Sequence, residues 1–235
     1  MIDPERIIVA LDFSKKEDAL KIVDELEGLI NFYKVGLELF LSEGKEILNI
    51  LKKRDKKIFL DLKFHDIPNT VYKAVKSVLQ YEIDMLTVHI SGGIEMIQKA
   101  VLAVKEYSYK ENISPPKILG VTVLTSLDER ALNEIFSLSI SRDSLVKNLS
   151  LKAKQAGLNG VVSAVSSVKT IKELCGNDFI VVTPGIRPKN SDFHDQKVVA
   201  SPEEAFLHGA DYIVIGRAIT NASSPHEVVF KMINM

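Results

Sequence analysis

The stretch KIFLDLKFHDIPNT (residues 57–70) sets two carboxylates around one ammonium. The apolar run Ile58-Phe59-Leu60 reads as a buried strand, and the charges Asp61, Lys63 and Asp66 arrive where that strand should end, with His65 between them. Pro68 sits where a helix could begin, since a first-turn proline gives up no needed N–H. In an extended strand, residues two apart point to one face, so Asp61 and Lys63 share a side, and Asp66 just beyond the strand is expected to swing back toward them. Two carboxylates around one ammonium at a strand-to-helix junction is an unusual arrangement to build. The plainer reading, a surface ion pair worth ~0–1 kcal/mol, asks for nothing more than a charged chain.

The rest of the chain must position these groups. Strand-like and helix-like segments alternate throughout. Apolar strands are expected at residues 6–13 (RIIVALDF), 32–37 (FYKVGL), 57–64, 85–90 (MLTVHI), 117–125, 160–164, 179–186 (FIVVTPGI) and 211–219 (DYIVIGRAI). Helices are expected at residues 15–28 with Ser14 as N-cap, at 42–54, 67–82, from the Gly92-Gly93 turn to about 110, and at 128–136, 141–156, 167–174, 201–208 and 224–233. The two prolines of ENISPP (residues 111–116) mark a loop. Runs such as IIVAL are continuous rather than alternating, as in strands buried on both faces. Eight strand–helix units in 235 residues predict one α/β domain, a single (β/α)8 TIM barrel over residues 1–235. A doubly wound open sheet is the second choice, and the absence of GxGxxG after the first strand counts against it.

In such barrels, chemistry collects at the C-terminal ends of the strands. Those ends carry Asp12, Lys34, Asp61 with Lys63 and Asp66, His89, Thr125, Arg187 and Arg217. Asp12 and Lys34 each interrupt an apolar run, where an unpaired charge is costly. Lys34 is therefore expected to meet Asp12 or Asp61 across the barrel mouth, making an alternating network in which each charge favours its neighbour's ionised form. On the other side, TPGIRP (residues 183–188) and IGRAI (residues 215–219) occupy the usual barrel phosphate position. Gly216 allows close backbone approach to an anion, and Arg217 can grip two oxygens. Gln196, in a polar stretch without apolar periodicity (residues 187–196), could close over the same phosphate.

Composition excludes several classes. A net charge of −1 gives no general attraction to nucleic acid or to an anionic membrane. No apolar run approaches the ~20 residues of a membrane span. The first residues lack the pattern of a signal peptide, so a cytoplasmic protein is the expectation. One cysteine, Cys175, excludes an internal disulfide and suits a core position. There is no Walker A sequence, nucleophile elbow, HExxH or CxxC, and the five histidines lack ligand spacing.

Taken in order, LDF, KVGLELF, DLKFHDIPNT, LTS, TPGIRP and IVIGRAI resemble the orotidine 5'-phosphate decarboxylase family from about Ile7 to Ala218. DxKxxD alone is shared with related sugar-phosphate decarboxylases and aldolases. Those relatives tend to carry an acidic, magnesium-holding residue at the position of Lys34, and a magnesium-dependent sugar-phosphate enzyme is the alternative. The resemblance implies cofactor-free and metal-free decarboxylation of orotidine 5'-monophosphate to uridine 5'-monophosphate, the last step of pyrimidine nucleotide biosynthesis. It implies that Lys63 is the cation and proton donor at C6, that Asp61 faces the departing carboxylate, and that Asp66 and Lys34 hold Lys63. Asp12 and Lys34 would bind the ribose, Thr125 the ring edge, and Arg187, Gln196, Gly216 and Arg217 the phosphate. The stretch from Asp66 to Thr70 would reach the neighbouring subunit's site, which makes Thr70 a substrate-binding residue and the protein a homodimer.

Overall fold

The computed structural model describes residues 1–137, 139–187 and 200–234. Eight parallel strands pair in sequence order: β1 (Ile7–Ala10), β2 (Phe32–Gly36), β3 (Lys57–Phe64), β4 (Met85–His89), β5 (Lys117–Val121), β6 (Gly160–Val162), β7 (Ile180–Thr183) and β8 (Tyr212–Ile215). Pairing of β8 with β1 closes the sheet into the expected (β/α)8 barrel. Closure removes both sheet edges, so no strand is left with an unpaired ladder.

Side-chain parity divides the apolar residues into two layers. Ile8, Ala10, Phe32, Phe59, Met85, Leu119, Val182 and Val214 form a cluster of their own inside the barrel. Their strand neighbours, such as Ile7, Val9, Tyr33, Leu60 and Leu86, join the larger cluster packed beneath the helices. Every strand is thus covered on both faces, which is why its sequence reads as continuous apolar residues.

All the strands but β3, which matches its expected bounds, are shorter than the apolar runs that predict them. Leu11, Val123, Ala164 and Ile186 stay buried after leaving the ladder. Apolarity reports burial, and burial continues into the loops that cap the barrel. The eighth run shows this best: the expected strand through Ile219 stops at Ile215, and Arg217–Thr220 is a short helix that buries Ile219. The expected helix at 42–54 is two helices, Leu37–Glu43 and Lys45–Lys53, broken at Gly44, whose φ of 60° with ψ of −142° is a combination that only glycine adopts easily. Ser14 does not cap the first helix, Lys16–Glu25; its N-cap is Lys15, and Glu43 accepts the Lys16 N–H at 3.0 Å. Pro68 does open the helix Pro68–Leu79, and Asp128, Ser141, Ser201 and Ser224 cap helices where the sequence places helix starts.

At the N-terminal end of the barrel a device repeats. Asp84, Asn159 and Asp211, each one residue before an even-numbered strand or its equivalent start, accept the N–H of Ile58, Ile118 and Val181 on the preceding strand at 2.8, 2.8 and 2.6 Å. These side chains fix neighbouring strands far from the charged end.

Candidate active site

The same parity that fills the barrel places the charges. Two residues beyond Ala10, Phe32, Phe59 and Met85 come Asp12, Lys34, Asp61 and Thr87, stacked one layer nearer the C-terminal end. They meet in a chain of alternating sign. Lys34 Nζ is 2.8 Å from Asp12 Oδ1 and 3.8 Å from Asp61 Oδ2, and Lys63 Nζ is 2.7 Å from the same Asp61 oxygen. Lys34 thus meets both of its expected partners. The Lys34 and Asp61 side chains are 11% and 12% exposed, whereas Lys63 keeps 30% of its surface toward the opening. Each nearly buried member has its short contact with an outer one, Lys34 with Asp12 and Asp61 with Lys63, and the outer ammonium keeps the larger exposure.

Lys63 reaches this position by a different backbone from the one expected. It has a φ of 51°, in the left-handed region, and the β3–β4 register shifts between Leu60 and Phe64. The strand bulges there, and the Lys63 N–H is taken by the Thr87 hydroxyl at 2.9 Å. A left-handed conformation costs a residue with a side chain ~1–2 kcal/mol, a form of strain that tends to gather at functional sites.

A cavity of about 290 Å³ opens beside Lys63. Asp12, Lys34, Asp61 and Lys63 line one side; Thr125, Arg187, Gly216 and Arg217 line the rest, over an apolar floor that includes Phe59, Val121 and Val162. Gly185, in the turn leading to Arg187, has a φ of 78°, which explains the glycine of TPGIR. There is room for a methyl at Gly216, 3.5 Å from Ala10 Cβ and 3.8 Å from Asp12 Oδ2. Gln196 lies outside the described residues.

Two expected site residues are not at this cavity. Asp66 does not swing back to Lys63: it is exposed, its carboxylate accepts the Ile67 N–H at 2.6 Å, and it enters no ion pair with Lys63 among the described residues. The chain turns outward ahead of Pro68 and carries the exposed Thr70 with it. His65 and His89 lie side by side, ring centroids 5.2 Å apart. Burial, then His65 and Lys63, holds His89 below the usual histidine range, with Asp61 opposing. Cys175 is buried, as expected, and burial pushes its thiol up. Among the described residues no three His, Cys, Asp or Glu side chains gather as a metal-ligand set, and no helix is long and apolar enough to cross a membrane.

Two positions at the site escape a reading of the sequence. Thr87 is a lone hydroxyl in an apolar strand, legible only once its inward parity is known. At Gly36, a Cβ would stand 2.9 Å from Lys34 Nζ and 3.2 Å from Asp12 Oδ1.

The comparisons with known proteins agree with this geometry. The model of the "Orotidine 5'-phosphate decarboxylase / HUMPS family" matches residues 5–232. An orotidine 5'-phosphate decarboxylase of Carboxydothermus hydrogenoformans is 48% identical over 94% of this chain and 91% of its own length. One from Nostoc sp. is 43% identical, covering 98% of this chain and 96% of the relative. The crystal structure of orotidine 5'-phosphate decarboxylase from Lactobacillus acidophilus superposes with a TM-score of 0.86 at 38% identity, over 98% of this chain and 100% of that one. The sugar-phosphate alternative finds no support in these relatives. With eight strands, a charged mouth and this likeness over nearly its full length, the chain belongs to the orotidine 5'-phosphate decarboxylase / HUMPS family.

Proposed function

We propose that this protein is a cytoplasmic, single-domain enzyme that decarboxylates orotidine 5'-monophosphate to uridine 5'-monophosphate without a metal or cofactor. The observation that carries the reading is the placement of Lys63: its ammonium is anchored on Asp61 at 2.7 Å and faces the cavity. Loss of CO₂ from C6 leaves an electron pair with no conjugated sink. A cation fixed beside that carbon stabilises the developing charge without reorganising, and its proton can then quench the carbanion. The apolar floor strengthens this by lowering the local dielectric.

Asp61 in this reading faces the departing carboxylate and holds Lys63. Asp12 and Lys34 take ribose hydroxyls, and Thr125 the ring edge. Arg187, Gly216 and Arg217 take the phosphate, whose binding energy is available to position a carbon at the other end of the cavity.

The homodimer belongs to the same proposal. Leu37, Leu41, Ile67, Ile94, Ile135 and Phe136 are all exposed large apolar residues on segments that leave β2 to β5 at the cavity's end of the barrel. A second copy covering them would receive Asp66 and Thr70 at its own site, which accounts for their outward placement here.

The test is decarboxylation of orotidine 5'-monophosphate followed by absorbance, with and without EDTA. Turnover that survives chelation supports the reading. Activity lost with EDTA and restored by Mg²⁺ would replace it with a metal-dependent lyase.

A further inference from the structure

Thr87 is fully buried in β4 and does not line the cavity. Its hydroxyl nevertheless joins the two residues on which the chemistry is placed. Thr87 Oγ1 donates to Asp61 Oδ1 at 2.9 Å and accepts the Lys63 N–H at 2.9 Å. A hydroxyl has one proton to give and lone pairs to receive, so both bonds can form at once. The shift in β3–β4 register takes Lys63 out of the ladder, and Thr87 supplies the acceptor that the ladder no longer does. The Asp61 carboxylate is then held at both ends, Oδ1 by Thr87 and Oδ2 by Lys63 with Lys34 beyond.

We propose that Thr87 is a positioning residue for decarboxylation: one hydroxyl fixes both the Asp61 carboxylate and the left-handed backbone from which Lys63 projects. This rests on the assignment of Lys63 and Asp61 as the reacting pair. The competing idea is that the hydroxyl merely satisfies a bulge. That would make it a stability element with no influence on turnover.

The test compares Thr87→Val, which keeps the shape and removes the hydroxyl, with Thr87→Ser, which keeps the hydroxyl, and uses Lys63→Ala as control. Misplacement of a catalytic group by about 1 Å can cost about a hundredfold, so Thr87→Val is expected to lower kcat by about tenfold to a hundredfold. Uridine 5'-monophosphate affinity should stay within about twofold, because phosphate and ribose contacts are untouched. Thr87→Ser should recover most of kcat. Should Thr87→Val fail to fold, Thr87→Ala against Thr87→Ser gives the same contrast. A folded Thr87→Val of reduced melting temperature but unaltered kcat, beside an inert Lys63→Ala, overturns the role of Thr87 alone. A Lys63→Ala protein that still turns over overturns the assignment on which it rests.

Discussion

Gly36 leaves open the space that the Lys34 ammonium needs: a Cβ there would stand 2.9 Å from Nζ. The nearest colliding atom is the far end of a flexible side chain, so Gly36→Ala should displace Lys34 rather than unfold the barrel. Lys34 would then slip from Asp12 and Asp61. The expected result is a fall in kcat/KM of about tenfold to a hundredfold, with a melting temperature close to that of the parent. Equal activity in the two proteins would show that the position of Lys34 matters little.

The opposite end of the barrel should behave in the opposite way. Asn159 holds β5 through the Ile118 N–H at 2.8 Å, far from the cavity. Asn159→Ala strands that donor and should cost ~1–3 kcal/mol of stability, with kcat/KM unchanged below the melting transition. Denaturant unfolding beside a steady-state assay checks both halves of the claim.

His89 should leave a mark on stability against pH. Its folded-state value lies below the ordinary one, mainly through burial. An unfolded histidine gains its proton near about pH 6.5, where the folded one is still neutral, so acidification through that range favours unfolding. His89→Asn should therefore flatten the decline in melting temperature between about pH 7 and pH 5.5. Parallel curves for the two proteins would remove His89 as the cause.

Much of this molecule was legible in its sequence because burial and periodicity are written there directly. Lys34 and Asp61 stand out as charges inside apolar runs, and the structure pairs them at 3.8 Å. Pro68 marks its helix start. What escaped depends on backbone geometry or on distant contacts. Nothing in DLKF announces that Lys63 has a φ of 51°. Ala218 and Ile219 read as strand because a buried helical turn is equally apolar. The spacing of Asp66 gives reach but not direction, and within its own chain its carboxylate turns to the Ile67 N–H and not to Lys63.

Arg217 gives a prediction that depends on the substrate. Arg217→Ala should lower kcat/KM for orotidine 5'-monophosphate by at least about tenfold to a hundredfold, the equivalent of ~1.5–3 kcal/mol for a charge-assisted contact. Orotidine without its phosphate should hardly register the change. Equal losses for both would place Arg217 away from the phosphate.

The central claim concerns Lys63, to which both charge stabilisation and proton delivery are assigned. Its most direct measurement pairs turnover with product affinity in Lys63→Ala. The product has no carboxylate at C6, so its binding should rest on phosphate, ribose and ring contacts that Lys63 does not make. Decarboxylation should fall below detection while uridine 5'-monophosphate binds within about tenfold of the parent, or ~1.4 kcal/mol. Near-normal turnover in that variant would contradict the mechanism.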